Sequence, residues 1–357
     1  MLVQSLLSAL VAAPLLASAL PHQSNRRTEG LSVELSQASE TEVKAVVSNT
    51  GAETLHLFTS GTILDNAPVQ QLDVTQNGES AEYLGLIIDY LAEDLQEDSF
   101  ITLAPGETAE ALVNIPALYA IKGGDYSVSL NGEIAFAGVD NTQLEGVYEF
   151  NTNTLEFNIE ETIAAAVPKA IDFEVLPLEK RVRIVSCSGS QLTALANAVS
   201  ATQRLSTSAA SAASSGSSTK FNEYFRTTSA TTRSNVAARF RSFASEASST
   251  TSGSSSYSCV DFLGVCTSNT IAYAQPATGR MASCPIFWQL RAVSTGCGQQ
   301  SQASTVLHEF THILAGTTDH AYGYSASTAL SAARAYTNAD KYLCSYALYA
   351  DAIANGC

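Results

Sequence analysis

Between residues 20 and 181 the chain has no cysteine, although it holds 7 in all. Charge is sparse too: 15% of residues are Asp, Glu, Lys or Arg, with only 18 Lys+Arg against 34 Asp+Glu. The shortage of basic residues excludes a polybasic nucleic-acid binder, and no nucleic-acid partner is expected. A hydrophobic content of 45% excludes a wholly disordered chain. Beyond the first twenty residues no apolar run is long enough to span a bilayer, so no membrane partner is expected. No N-x-S/T sequon occurs, and N-glycosylation is not expected. What remains is a globular chain of 357 residues, long enough for about two domains.

Composition divides it into three segments. Residues 1–19 carry no charged side chain, an apolar stretch from Leu6 to Leu16, and Ala17 and Ala19 ahead of Leu20-Pro21. That pattern reads as a secretory signal peptide and predicts a secreted, extracellular product. Residues 20–181 hold 7 Lys+Arg and 27 Asp+Glu, a balance of −20. Their text alternates and breaks often, as in LSVELS, TEVKAVVSN and DYSVSLNGEIAFA, which predicts a mainly-β, sandwich-like fold. No catalytic constellation is visible there, and His56 between Leu55 and Leu57 reads as structural. Residues 182–357 hold every cysteine, with 11 Lys+Arg and 7 Asp+Glu, a balance of +4. Lys180-Arg181 stands where one kind of text gives way to the other and reads as a dibasic processing site. The expected organisation is therefore a signal peptide, an acidic β-rich propeptide over 20–181, and a mature domain over 182–357.

The last segment reads as mainly α. SQLTALANAVSATQRL and TTRSNVAARFRSFASEA space their apolar residues three and four apart. The Ser/Thr/Gly tracts SAASSGSST and SSTTSGSSS read as loops, and TIAYAQ and PIFWQL as two strands of a small hairpin or sheet. In an exported chain the cysteines imply disulfides, and seven leaves one over.

Chemistry enters with STVLHEFTHILAG, which contains His308, Glu309 and His312 as H-E-x-x-H. Four residues apart on a helix, both imidazoles reach one metal, while Glu309 sits about 100° round, beside it. Zinc suits neutral imidazoles and leaves a position for water, whose proton a carboxylate takes. Val306, Leu307, Phe310, Ile313 and Leu314 make the helix a buried one, where two histidines and a glutamate need partners. No glutamate follows Glu309, so a third ligand of that type is excluded. Ala315 and Thr318 stand where the metzincin pattern demands Gly and His. Asp319 or His320 remains, beyond a helix end marked by Gly316.

HEFTH, then GTTD at 316–319, then Tyr322 within AYGY resembles the deuterolysin family of zinc metalloendopeptidases, the aspzincins. The resemblance runs through the whole chain, including NADKY at 338–342. It implies a zincin-like catalytic domain with one Zn²⁺ per chain, bound by His308, His312 and Asp319. It further implies Glu309 as general base and Tyr322 as the donor to the oxyanion. His320 then has no role beyond its loop. Disulfides would map onto Cys187–Cys259, Cys266–Cys284 and Cys297–Cys357, leaving Cys344 as a buried free thiol. The implied product is a secreted monomeric zymogen that hydrolyses proteins, basic ones such as histones and protamines above all. Its own propeptide is its other partner. The lysine-specific branch is similar at Asp340, but it carries an acidic residue where Leu343 stands, which argues against strict lysine specificity. Asp340 remains a candidate for the S1′ pocket. A competing reading is a secreted protein that uses zinc only structurally; such a site would be closed by four protein ligands.

Overall fold

The computed structural model describes residues 25–91, 95–171, 183–319, 330–338 and 345–357. The described chain is mixed α/β, built on two large hydrophobic cores. One lies within residues 31–164, the other within 195–352.

Three sheets supply the first core. Glu42–Asn49 lies between Leu31–Gln37 and Thr108–Asn114, antiparallel to both. Its side chains alternate between buried and half-buried, as a strand with one covered face demands. A second sheet runs Leu155–Ile159, Gly124–Ser129, Asp73–Gln76, Glu79–Ser80. The tight hairpin at its end turns on Asn77-Gly78, both at positive φ, the arrangement a two-residue turn requires. A third holds Leu144–Asn151, Asn131–Ala137, Leu55–Phe58 and Phe100–Leu103, with Asn25–Arg27 added in parallel. His56 is buried here, stacked on Phe100 with ring centroids 4.5 Å apart, and its Nδ1 lies 2.9 Å from Thr102 Oγ1.

Helices dominate the second core. Gly189–Ser215 presents Ala198, Ala201, Ala209, Ala210 and Ala213 inward, small residues that let neighbouring helices approach closely. Ser218–Phe225, Ala230–Glu246 and Ser345–Asn355 meet in an aromatic cluster of Phe221, Phe225, Phe240, Phe243, Tyr346 and Tyr349. Most of its ring pairs are tilted or edge-to-face, the arrangement aromatic quadrupoles favour. Two expectations need correction. The tract SAASSGSST is largely helical, its alanines and serines completing Gly189–Ser215 and its end starting Ser218–Phe225. PIFWQ is a 3₁₀ helix, Pro285–Gln289, because Pro285 cannot donate to a sheet ladder and presets the first helical φ. TIAYAQ is a strand, Thr270–Gln275.

That strand sits in a five-stranded sheet ordered Arg183–Val185, Ser256–Ser258, Arg280–Ser283, Thr270–Gln275, Ile87–Tyr90. The last strand comes from the N-terminal half. A small third core of Val69, Leu86, Ile88, Tyr90, Tyr273 and Ala282 seals the junction. Arg334 adds a polar tie, donating to Asn131 O at 3.1 Å and pairing with buried Glu133 at 3.6 Å. Cys187 is joined to Cys259, Cys266 to Cys284 and Cys297 to Cys357. No helix among the described residues is long and apolar enough to cross a membrane.

Candidate active site

The helix Gln302–Ala315 carries the site. Ser301 begins it through a reciprocal cap: its hydroxyl accepts from Ser304 N at 3.1 Å, and Ser304 Oγ accepts from Ser301 N at 2.9 Å. Every residue from Gln302 to His312 is buried. The Thr202 hydroxyl ties the helix to Gly189–Ser215 by reaching Ala303 O, 2.8 Å away. Gly316 ends it at φ 58, a left-handed conformation that costs glycine nothing.

The sharp reversal after Gly316 serves the site twice. Thr317 O accepts from His312 Nδ1 at 2.9 Å, which leaves the lone pair on Nε2. Two residues later Asp319 returns to the same place. Thr318 N donates to Thr337 O at 3.0 Å and fixes this returning segment. The result is a cluster of three donor atoms. His308 Nε2 and His312 Nε2 are 3.0 Å apart, and Asp319 Oδ1 lies 3.9 and 3.7 Å from them. Ligands of a tetrahedral metal at about 2.0–2.1 Å stand about 3.3 Å from one another, so the three atoms fit one small cation. All three side chains are at most 3% exposed.

Electrostatics point the same way. Burial, and then the neighbouring His312, hold His308 well below the ordinary histidine range. Burial lowers His312 to about 4, against the carbonyl of Thr317, which works upward. Both rings are thus neutral at physiological pH, as metal ligands must be. Glu309 is fully buried, and neither carboxylate oxygen has a hydrogen-bond partner among the described residues. Burial, then the charges of Asp89 and Asp319, push it well above the usual carboxylate range. An acid so placed is costly to the fold and marks a functional position.

A model of the deuterolysin metalloprotease (M35) family matches residues 1–357. The chain belongs to the deuterolysin family. A neutral protease 2 homolog of Aspergillus oryzae is 42% identical over 99% of both chains. A second from Sclerotinia sclerotiorum is 41% identical over 92% of this chain and 91% of its own. A third from Neosartorya fischeri is 42% identical over 87% and 86%. The chain is therefore a zinc metalloendopeptidase by class, a hydrolase of peptide bonds.

Of the residues singled out from the deuterolysin motif, His308, Glu309, His312 and Asp319 come together. Tyr322, His320, Asp340, Leu343, Cys344 and the Lys180-Arg181 pair lie outside the described residues. One participant escaped the sequence. Asp89, in a stretch that showed no chemistry, offers a carboxylate oxygen to a group with His308 and Glu309 in which all ligand atoms lie within 4.8 Å of one another. No local pattern signals it, because it arrives by strand pairing from nearly two hundred residues away.

Proposed function

We propose that His308, His312 and Asp319 hold one zinc ion, and that the protein is a secreted endopeptidase made as a zymogen. The supporting observation is the convergence of two neutral imidazoles and one carboxylate beside the buried acid Glu309. Zinc bound there supplies a Lewis acid that acidifies water and polarises a peptide carbonyl. The chain's own residues do the rest. Thr317 O holds His312 in the tautomer whose Nε2 faces the site. Glu309, with no competing hydrogen bond among the described residues, takes the proton of the attacking water and passes it to the leaving amine. Its burial and the Asp319 charge, which stays with the mature segment, make it a strong base for that transfer. Tyr322 is proposed to donate to the oxyanion of the tetrahedral intermediate, on the strength of the GTTD-AYGY motif.

The proposed organisation is a signal peptide over 1–19, a propeptide over 20–181 cut after Lys180-Arg181, and a zincin-like mature monomer over 182–357. Basic proteins such as histones are the proposed preferred substrates. Because the mature segment carries +4, that preference would reside in a local acidic cleft rather than in net charge. N-terminal sequencing of secreted protein checks the cut, and cleavage rates on a histone against an acidic protein check the preference. Glu309→Gln tests the mechanism: it retains zinc by metal analysis while kcat/KM falls by about 10²–10⁴. Near-normal turnover would remove Glu309 from its role. His308→Ala loses the metal itself, and a zinc content unchanged from wild type would overturn the ligand assignment.

A further inference from the structure

The strand Ile87–Tyr90 lies antiparallel on Thr270–Gln275, with Tyr90 opposite Thr270, Asp89 opposite Ala272, Ile88 opposite Tyr273 and Ile87 opposite Ala274. Leu91 N extends the pairing by donating to Asn269 O at 2.7 Å. Without this strand, Thr270–Gln275 would be the sheet's edge on that side. An extended segment of the N-terminal half therefore occupies the row of backbone groups beside the site helix, where an added peptide would pair.

The irregular register next to Ala272 accompanies a second feature. Asp89 is 1% exposed. Its Oδ2 accepts from Gln300 Nε2 at 2.9 Å, whereas Oδ1 has no hydrogen-bond partner among the described residues. The carboxylate, His308 and Glu309 offer ligand atoms that all lie within 4.8 Å of one another. A water attacking a substrate must stand between the metal held by His308 and the base Glu309, and that is the space Asp89 borders. Asp89, Glu309 and Asp319 are three acids with buried side chains gathered at one place. A divalent cation would compensate such a cluster.

We propose that Asp89 is the latency residue of the precursor: its carboxylate stands beside His308 and Glu309 and blocks, by bulk and charge, the side of the metal site from which a water or an added anion would enter, and the strand around it covers the substrate edge. The inference rests on the reading of His308, His312 and Asp319 as the metal set and of residues 20–181 as the propeptide. A site closed by four protein ligands is the mark of a structural zinc, and a catalytic one keeps a position open. Here the position is shut and then freed, because the blocking carboxylate belongs to the segment that is removed. Gln300, which stays with the mature domain, holds Asp89 in the latent state and is released to solvent or substrate afterwards. A carboxylate in this position also needs no cysteine, in keeping with the absence of one from residues 20–181.

The test uses the full chain kept uncut by Lys180→Ala and Arg181→Ala and loaded with Co²⁺. In this parent protein the cobalt visible spectrum should be unmoved by azide, since no ligand position is open. In the wild-type chain, cut after Lys180-Arg181 and freed of residues 20–181, azide should shift it. Asp89→Asn in the uncut chain should make the spectrum azide-sensitive and speed removal of the metal by a chelator about tenfold to a hundredfold. An azide response in the uncut parent overturns the proposal without recourse to any variant. So does an Asp89→Asn protein that binds cobalt with the parent's spectrum and extraction rate. Failure of the underlying site reading looks different: cobalt would then bind equally well to the His308→Ala protein.

Discussion

Single residues divide sharply by how far their meaning depends on distant chain. His308, Glu309 and His312 were legible because a helix converts spacing into geometry, and the apolar residues around them declared the helix buried. Asp319 followed only in part: the spacing left it level with His320, and the turn at Gly316 that brings it back beside the two histidines is a backbone event. Asp89 was not legible at all, since nothing in IIDY distinguishes a carboxylate at an active site from one facing water. Glu309 carries a further consequence. With the metal removed, its pKa stands well above the usual carboxylate value, through burial and then Asp89 and Asp319. A raised carboxyl pKa contributes stability below the unfolded value near 4.5, and that contribution is lost as pH rises towards the folded pKa. Gln at this position does not titrate. The metal-free Glu309→Gln chain should therefore gain on wild type as pH rises above about 4.5, with a limiting slope of about 1.4 kcal/mol per pH unit. Denaturant midpoints from pH 4 to 8 in chelator measure the difference, and parallel curves would contradict it.

Elements show where local text is a sound guide and where packing overrides it. Thr270–Gln275 reads as a strand and is one, because β-branched and aromatic side chains fit a sheet covered on both faces. PIFWQL has similar composition and becomes a 3₁₀ turn on account of a single proline. Serine-rich text proved ambiguous in the same way. The run ending in Ser215 is helical, while Ser254 and Ser255 form a loop pinned by the buried carboxylate of Glu246, which accepts from their backbone amides at 2.7 and 2.8 Å. Asp261 organises the loop before Cys266 in a comparable manner. Burial raises its pKa, but the amides of Cys266, Val265 and Gly264 and the Tyr273 hydroxyl outweigh that and hold it below the ordinary value. A lowered carboxyl pKa has the opposite sign to that of Glu309. Its stabilisation is present above the unfolded value near 3.8 and is lost as pH falls through the folded one. Asp261→Asn should cost about 1–3 kcal/mol at pH 7 and markedly less at pH 3. Fluorescence of Trp288, the chain's single tryptophan, reports the unfolding of that half. An equal cost at both pH values would show that the charge is not what the loop uses.

At the scale of the whole molecule, the −20 and +4 balances belong to halves that meet across a strand pairing, a small apolar core and the Arg334–Glu133 contact. These ties differ in kind. Charge attraction is screened by salt, whereas a β-ladder and buried apolar surface are not. After the proposed cut, the affinity between the separated halves should fall several-fold between 0.05 and 0.5 M NaCl and then level off. A titration of one half into the other at each salt concentration measures both the slope and the plateau. An affinity that keeps falling without a plateau would mean that charge alone joins them.

The five-stranded sheet has one edge formed by Ile87–Tyr90 and the other by Arg183–Val185, and the two have different fates. The second is fastened just beyond the proposed cut by Cys187–Cys259 and stays with the mature half. The first is free to leave. The proposed processing would thus bare a new edge at Thr270–Gln275, while Arg183–Val185 remains the edge on the other side. A precursor crowded at high concentration during export presents neither Thr270–Gln275 nor Ser256–Ser258 as an open edge. Protection from aggregation and restraint of proteolysis would then be two services of the same four-residue strand.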